Sequence, residues 1–213
     1  MAQERDVDDT DIPDGPERPI VAFDFDGTLT VRDSYTAFLK WRTPAVKWWL
    51  GLLRLIPASV RYLVDHDRGR IKAAATRIYL GGVSRAQLET DARRFAELSR
   101  SLLRPDAVIA WKRWRKERVR LIIVTASPDI VVAPFARGLG ADDLLGTQLA
   151  FDDRDRVTGV FASPNCRADE KVARIRAAYG DLRVRAAYGD TSGDTEMLAM
   201  ADEPYYRVFT GRP

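Results

Sequence analysis

The chain has 213 residues, 46% hydrophobic and 31% charged, with 34 Lys+Arg against 31 Asp+Glu and a formal net charge of +3. That length and composition exclude a disordered, collagen-like or coiled-coil chain, and so small a charge excess does not point to nucleic acid as a partner. One cysteine, Cys166, and one histidine, His66, supply neither an intramolecular disulfide nor a Cys/His zinc cluster, so a reducing, cytoplasmic setting is expected.

Residues 1–18 hold seven acidic side chains against Arg5 and Arg18, broken by Pro13, Gly15 and Pro16, and read as a mobile acidic tail. No basic segment followed by an apolar one opens the chain, so a secretory leader is not expected. Ile20–Phe25 is a β-branched and aromatic run that ends in Asp24-Phe25-Asp26-Gly27-Thr28, a buried strand running into a turn. From 34 to 100 the pattern is helical, broken at Gly81-Gly82, with Ser84 as N-cap and Gln87 three residues later. This block is expected to be a helical insertion dividing a core of 19–33 and 101–213.

After Pro105 a helix through Trp111 and Trp114 leads to a second strand, Val119–Val124, ending in Thr125-Ala126-Ser127. A helix is predicted over Asp129–Gly138, then a ribbon of strands Leu145–Phe151 and Arg156–Phe161, a helix over Glu170–Tyr179 and a third core strand at Val184–Tyr188. A short helix over Thr195–Ala201 and a last strand at Tyr205–Phe209 close the order. Alternation of strands and helices predicts an α/β fold with a parallel sheet, whose ligands bind at the carboxyl ends of the strands. Asp24, Thr125 and Asp190 fall at three such ends.

Two carboxylates two residues apart, Asp24 and Asp26, suit a nucleophile and an acid/base above it, and Gly27 lets the backbone turn closely around an anion. Together with Thr125, Lys171 near a helix start and Gly189-Asp190-Thr191-Ser192-Gly193-Asp194 after the third strand, the order and spacing resemble the four motifs of haloacid dehalogenase-like phosphatases. The insertion after the first motif resembles the subclass that contains phosphoserine phosphatases and phosphatidylglycerophosphatase-type enzymes. The resemblance implies a Rossmann-like core with a helical cap and a Mg²⁺-dependent phosphomonoester hydrolase working through an aspartyl-phosphate. In it Asp24 would be the nucleophile and Asp26 the acid/base. Thr125 would donate to a phosphate oxygen and Lys171 would neutralise charge. Asp24, the Asp26 carbonyl and Asp190 would hold Mg²⁺, with Asp194 binding metal-bound water or orienting Lys171. Gly27, Thr28, Ala126, Asp33 and Arg70 are the expected substrate contacts, with Lys72 as a further candidate; Asp33 reads equally as a helix-start residue.

Relatives acting on phosphoserine often carry Asn at the position of Gly193, and no counterpart of their substrate arginine stands out in the insertion. Phosphoserine therefore remains an alternative beside a lipid phosphate or another small phosphorylated metabolite. A dehalogenase or ATPase-like phosphotransferase is disfavoured by Asp26, and a regulatory binding module on a phosphatase scaffold by the retained motif residues. Between Lys40 and Arg77, nine Lys or Arg stand against Asp65 and Asp67, interleaved with Trp41, Trp48 and Trp49. The run Trp48–Val64, cut by Arg54, Pro57 and Arg61, is not expected to span a membrane. It reads as a cap helix packed on the core, with an interfacial helix that places the protein peripherally on an anionic inner membrane face as the competing reading. His66 and Cys166 are read as structural, and the sequence leaves the oligomeric state open.

Overall fold

The computed structural model describes residues 18–65 and 68–213, so most of the acidic tail and His66 lie outside the described residues. Strand β1 (Ile20–Phe23) is buried along its whole length, as its uninterrupted apolar run requires for the middle of a parallel sheet. It is flanked by β2 (Arg120–Pro128) and β6 (Val184–Gly189), with β3 (Asp143–Thr147) and β7 (Ala201–Tyr206) outside them, giving the order β3-β2-β1-β6-β7. All four pairings are parallel.

Alternation along the strands divides the core. Val21 and Phe23 join Leu121, Ile123, Ala186 and Tyr188 on one face. Ile20 and Ala22 join Ile122, Val124, Val184 and Ala187 on the other. The first face carries an aromatic ladder, with Phe23 stacked on Tyr188 at 4.2 Å and Tyr188 on Tyr205 at 4.5 Å. Helices α7 (Asp169–Tyr179) and α8 (Thr195–Ala199) cover the second. On the first face lie α5 (Pro105–Trp114) and α6 (Asp129–Leu139), the latter stopped by Gly140 in a left-handed conformation at φ 66°.

Between β1 and β2 run α1 (Ser34–Arg42), α2 (Ala45–Asp65), α3 (Arg68–Leu80) and α4 (Arg85–Leu98). Asp33 caps α1 by accepting from the Thr36 amide at 2.6 Å. Ser84 caps α4 through the Gln87 amide, but the Gln87 side chain donates to Asp91 instead, so the reciprocal half of the expected capping box is not made.

Two strand predictions are corrected. Leu145–Phe151 is not one ribbon strand: β3 pairs with β2 in the main sheet, and only β4 (Leu149–Phe151) forms the antiparallel ribbon with β5 (Val157–Phe161). The last strand lies at Ala201–Tyr206 rather than Tyr205–Phe209. Arg207 takes φ 53°, which ends the extended run, and Phe209 stacks back on Tyr188 at 5.3 Å. The tryptophans divide: Trp48 stacks on Tyr79 at 4.9 Å and Trp41 lies against Phe95 at 5.5 Å, whereas Trp49 is 67% exposed.

Candidate active site

Asp24 leaves the end of β1 only 6% exposed and is anchored by its amide donating to the Tyr188 carbonyl. Lys171, on the first turn of α7 and 1% exposed, donates to Asp24 Oδ1 at 2.6 Å, to Asp194 Oδ1 at 2.6 Å and to the Val124 carbonyl at 2.7 Å. Three acceptors satisfy all three ammonium hydrogens, so the lysine is fixed without a rotamer to spare. Its charge is held on, because the two carboxylates outweigh the burial that opposes it.

The carboxylates around that ammonium differ. Asp194 Oδ2 accepts from the Asp190 and Thr191 amides and the Thr191 hydroxyl, and its carboxyl is held below the usual range, Lys171 and these donors outweighing burial. Asp24 is pushed up to about 7 by burial, against which Lys171 works only in part, and by the neighbouring charge of Asp194. Asp190 is also raised, by burial and then by Asp194. One oxygen from each of Asp24, Asp190 and Asp194 lies within 4.8 Å of the others. Three carboxylates against one buried ammonium leave net negative charge in a half-enclosed space, and the donor set is all oxygen. That fits a hard divalent cation such as Mg²⁺. Asp194 already spends both oxygens on lysine and backbone, so Asp24 and Asp190 are the carboxylates open to the ion.

Gly27 is required where it stands: at φ 88°, its Cβ would lie 2.2 Å from Asp190 Oδ2. Asp26 is held by two donors. Its Oδ1 accepts from the Ser34 amide at the start of α1 at 2.6 Å, and its Oδ2 from the Ser127 hydroxyl at 2.5 Å. Burial first, then the charge of Asp33, raises its pKa, so this carboxyl retains a proton more readily than a solvated one. Arg104 braces the loop from below by donating to the carbonyls of Gly27 and Thr30.

A cavity of about 370 Å³ opens here, lined by Asp24, Asp26, Gly27, Asp33, Ala126, Lys171, Asp190 and Asp194, with Arg32, Lys72, Asn165, Arg167, Thr191 and Gly193. A larger cleft of about 820 Å³ between α4 and α6 carries Arg85, Arg93 and Arg137 but no carboxylate–lysine pair, so the chemistry belongs to the smaller one. Three expected contacts fall differently. Thr28 is buried and donates to Asp190 Oδ1 at 3.4 Å, placing a carboxylate rather than lining the cavity. Arg70 is exposed on α3 outside the lining, and Lys72, two residues on, enters instead and donates to the Ala126 carbonyl. Thr125 is fully buried below the floor, where its oxygen accepts from the Ser127 amide.

Sequence reasoning missed Ser127, which closes the run Thr125-Ala126-Ser127 and lies within β2, and Arg167. A Cβ at Gly193 would meet Arg167 Cγ at 2.6 Å, so a residue larger than glycine there would displace the arginine. Cys166 is buried, donates to the Leu145 carbonyl and has its thiol pushed up to about 11 by burial, an inert packing group.

Comparison with known proteins agrees with this geometry. The model of the haloacid dehalogenase-like hydrolase family matches residues 21–199. Protein CicA from Caulobacter vibrioides is 59% identical over 201 residues, covering 93% of this chain and 90% of that protein. Among solved structures, a protein of unknown function from Bordetella pertussis Tohama I superposes with a TM-score of 0.70 at 20% identity, covering 86% of each chain. A phospho-aspartyl intermediate analogue of phosphoserine phosphatase gives 0.59 at 17% identity, covering 87% of this chain and 84% of that one. At such identities these structures speak for the fold. The family match over most of the chain and the CicA relationship establish that the chain belongs to the haloacid dehalogenase-like hydrolases.

Proposed function

We propose that this hydrolase cleaves phosphate monoesters in a Mg²⁺-dependent reaction through a phosphorylated Asp24. The observation that carries the reading is the Lys171 ammonium clamped on Asp24 Oδ1, which leaves Oδ2 as the attacking oxygen, in a cavity that Asp26 also lines. Asp24 Oδ2 forms a bond to phosphorus as the ester P–O bond breaks, and Asp26 gives its proton to the departing oxygen. Asp26 then takes a proton from water, which attacks phosphorus and breaks the bond to Asp24, releasing inorganic phosphate. Asp26 is suited to both halves because its raised affinity for a proton keeps it protonated until the leaving oxygen needs the proton, while Ser34 and Ser127 stabilise the carboxylate left behind. Lys171 offsets charge on the phosphoryl oxygens, while Thr125, buried beneath the cavity, holds the Ser127 amide.

Asp24, Asp190 and the Asp26 carbonyl would hold Mg²⁺, and Asp194 would keep Lys171 and the 190–194 loop in place. Bound there, the ion would supply positive charge to the phosphoryl oxygens and keep Asp24 ionised. The test is hydrolysis of p-nitrophenyl phosphate: Asp24→Asn should cost about three orders of magnitude or more, and EDTA should abolish a turnover that Mg²⁺ restores. Turnover of Asp24→Asn close to the parent's would overturn the reading.

A further inference from the structure

Helix α2 is apolar on two sides, which a purely structural cap helix does not need. Trp48, Leu52 and Leu55 turn inward, where Trp48 meets Tyr79. The outer side is apolar too: Val46, Trp49, Leu50, Leu53, Ile56, Val60 and Leu63 are 49–73% exposed and recur at three- and four-residue spacing, one continuous stripe. Lys47, Arg54 and Arg61 are exposed and recur every seventh residue along one edge of it, and the helix holds no acidic residue before Asp65. No described helix is long and apolar enough to cross a membrane. An apolar stripe with a cationic edge fits an interface plane instead, with aliphatic groups in the acyl boundary and Lys or Arg at anionic headgroups. Against a second copy in a two-fold contact, the same cationic rows would meet each other.

Behind α2 lies a second cavity of about 390 Å³, walled by Tyr35, Leu39, Leu55, Ile71, Ala75 and Tyr79 among others. Lys72 lines both this cavity and the one at Asp24. The two cavities thus adjoin at Lys72, which places room for an apolar tail among the cap helices next to room for a phosphate head at Asp24.

We propose that α2 docks the enzyme on an anionic lipid bilayer and that the cavity behind it receives the hydrocarbon tail of a phosphate monoester whose head lies at Asp24. The second half rests on the hydrolase reading above, and both halves are tested without turnover. In the first arm, the full chain is sedimented with phosphatidylcholine vesicles with and without phosphatidylglycerol, at low and high salt. Binding should require phosphatidylglycerol and fade with salt. Arg54→Ala should weaken it about fivefold, and Trp49→Glu with Leu53→Glu should abolish it while thermal melting confirms the fold. In the second arm, lysophosphatidic acid and glycerol 3-phosphate are titrated calorimetrically into Asp24→Asn, and the tailed ester should bind at least about tenfold tighter. Absence of vesicle binding, equal binding to uncharged vesicles, a dimer that Leu53→Glu dissociates, or equal affinity for the two esters would each overturn the proposal. Loss of p-nitrophenyl phosphate hydrolysis with both arms intact would instead count against the catalytic reading alone.

Discussion

Replacing Asp24 by Asn should change the pH dependence of stability as well as activity. In the metal-free protein the Asp24 carboxyl is raised from about 4, its unfolded value, to about 7. A group whose folded pKa is raised contributes stability that is fully present below the unfolded value and is lost as pH rises through the folded one. Between about pH 4 and pH 7 the unfolded chain releases this proton while the folded chain holds it. The difference is about 3 pH units at 1.36 kcal/mol each, or about 4 kcal/mol. Asn cannot titrate and keeps an oxygen for Lys171, so its curve should lack this part of the decline. Urea unfolding in EDTA at pH 5 and pH 8 captures about two of those three units: the variant's stability relative to the parent should rise by about 3 kcal/mol across the interval. Mg²⁺ at pH 8 should stabilise the parent and not the variant. Parallel pH profiles in EDTA would refute the account of Asp24 as a buried, under-compensated carboxylate.

Gly27→Ala puts a Cβ into a left-handed position at about 1–2 kcal/mol and onto Asp190 Oδ2, so Mg²⁺ should bind more weakly and melting should fall by a few degrees. Unchanged Mg²⁺ dependence of turnover would show that Asp190 is not an ion ligand. Ser127→Ala removes a hydrogen bond to the charged form of Asp26, about 1.5–3 kcal/mol, and should move the alkaline limb of the kcat–pH profile up by about one unit or more. A change in rate with an unmoved profile would assign Ser127 to packing alone.

What could be read along the chain was what the chain carries locally. β1 reads as a buried strand because all of its residues are apolar, and Asp24 and Asp26 stand out because strand and turn adjoin. The split of Leu145–Phe151 was hidden because both halves are apolar enough for a strand, and only pairing partners distinguish them. Helix α2 allows two readings for a related reason. Residues such as Trp48 and Leu52 share its helical period with Trp49 and Leu53, and periodicity does not say which apolar side meets the core. Arg70 and Lys72 are equivalent as charges on a helix, and the choice between them depends on how α3 is rotated against the floor at Ala126.

At the site itself residue type was legible and role was not. Asp190 and Asp194 are the same residue four apart in one loop, and the sequence assigned both to the metal with lysine orientation as an alternative for Asp194. Hydrogen-bond accounting separates them. Asp194 gives one oxygen to Lys171 and the other to the amides and hydroxyl of its own loop, so its charge is stabilised and it is committed to holding the lysine. Among the described residues the Asp190 carboxylate accepts one long bond, from Thr28; it is destabilised as an anion and faces the space that Gly27 keeps clear. A cation entering that space relieves Asp190 and Asp24 while Asp194 has little left to gain. Environment, acting on chemically identical side chains, makes one carboxylate a brace and leaves the other open to a cation.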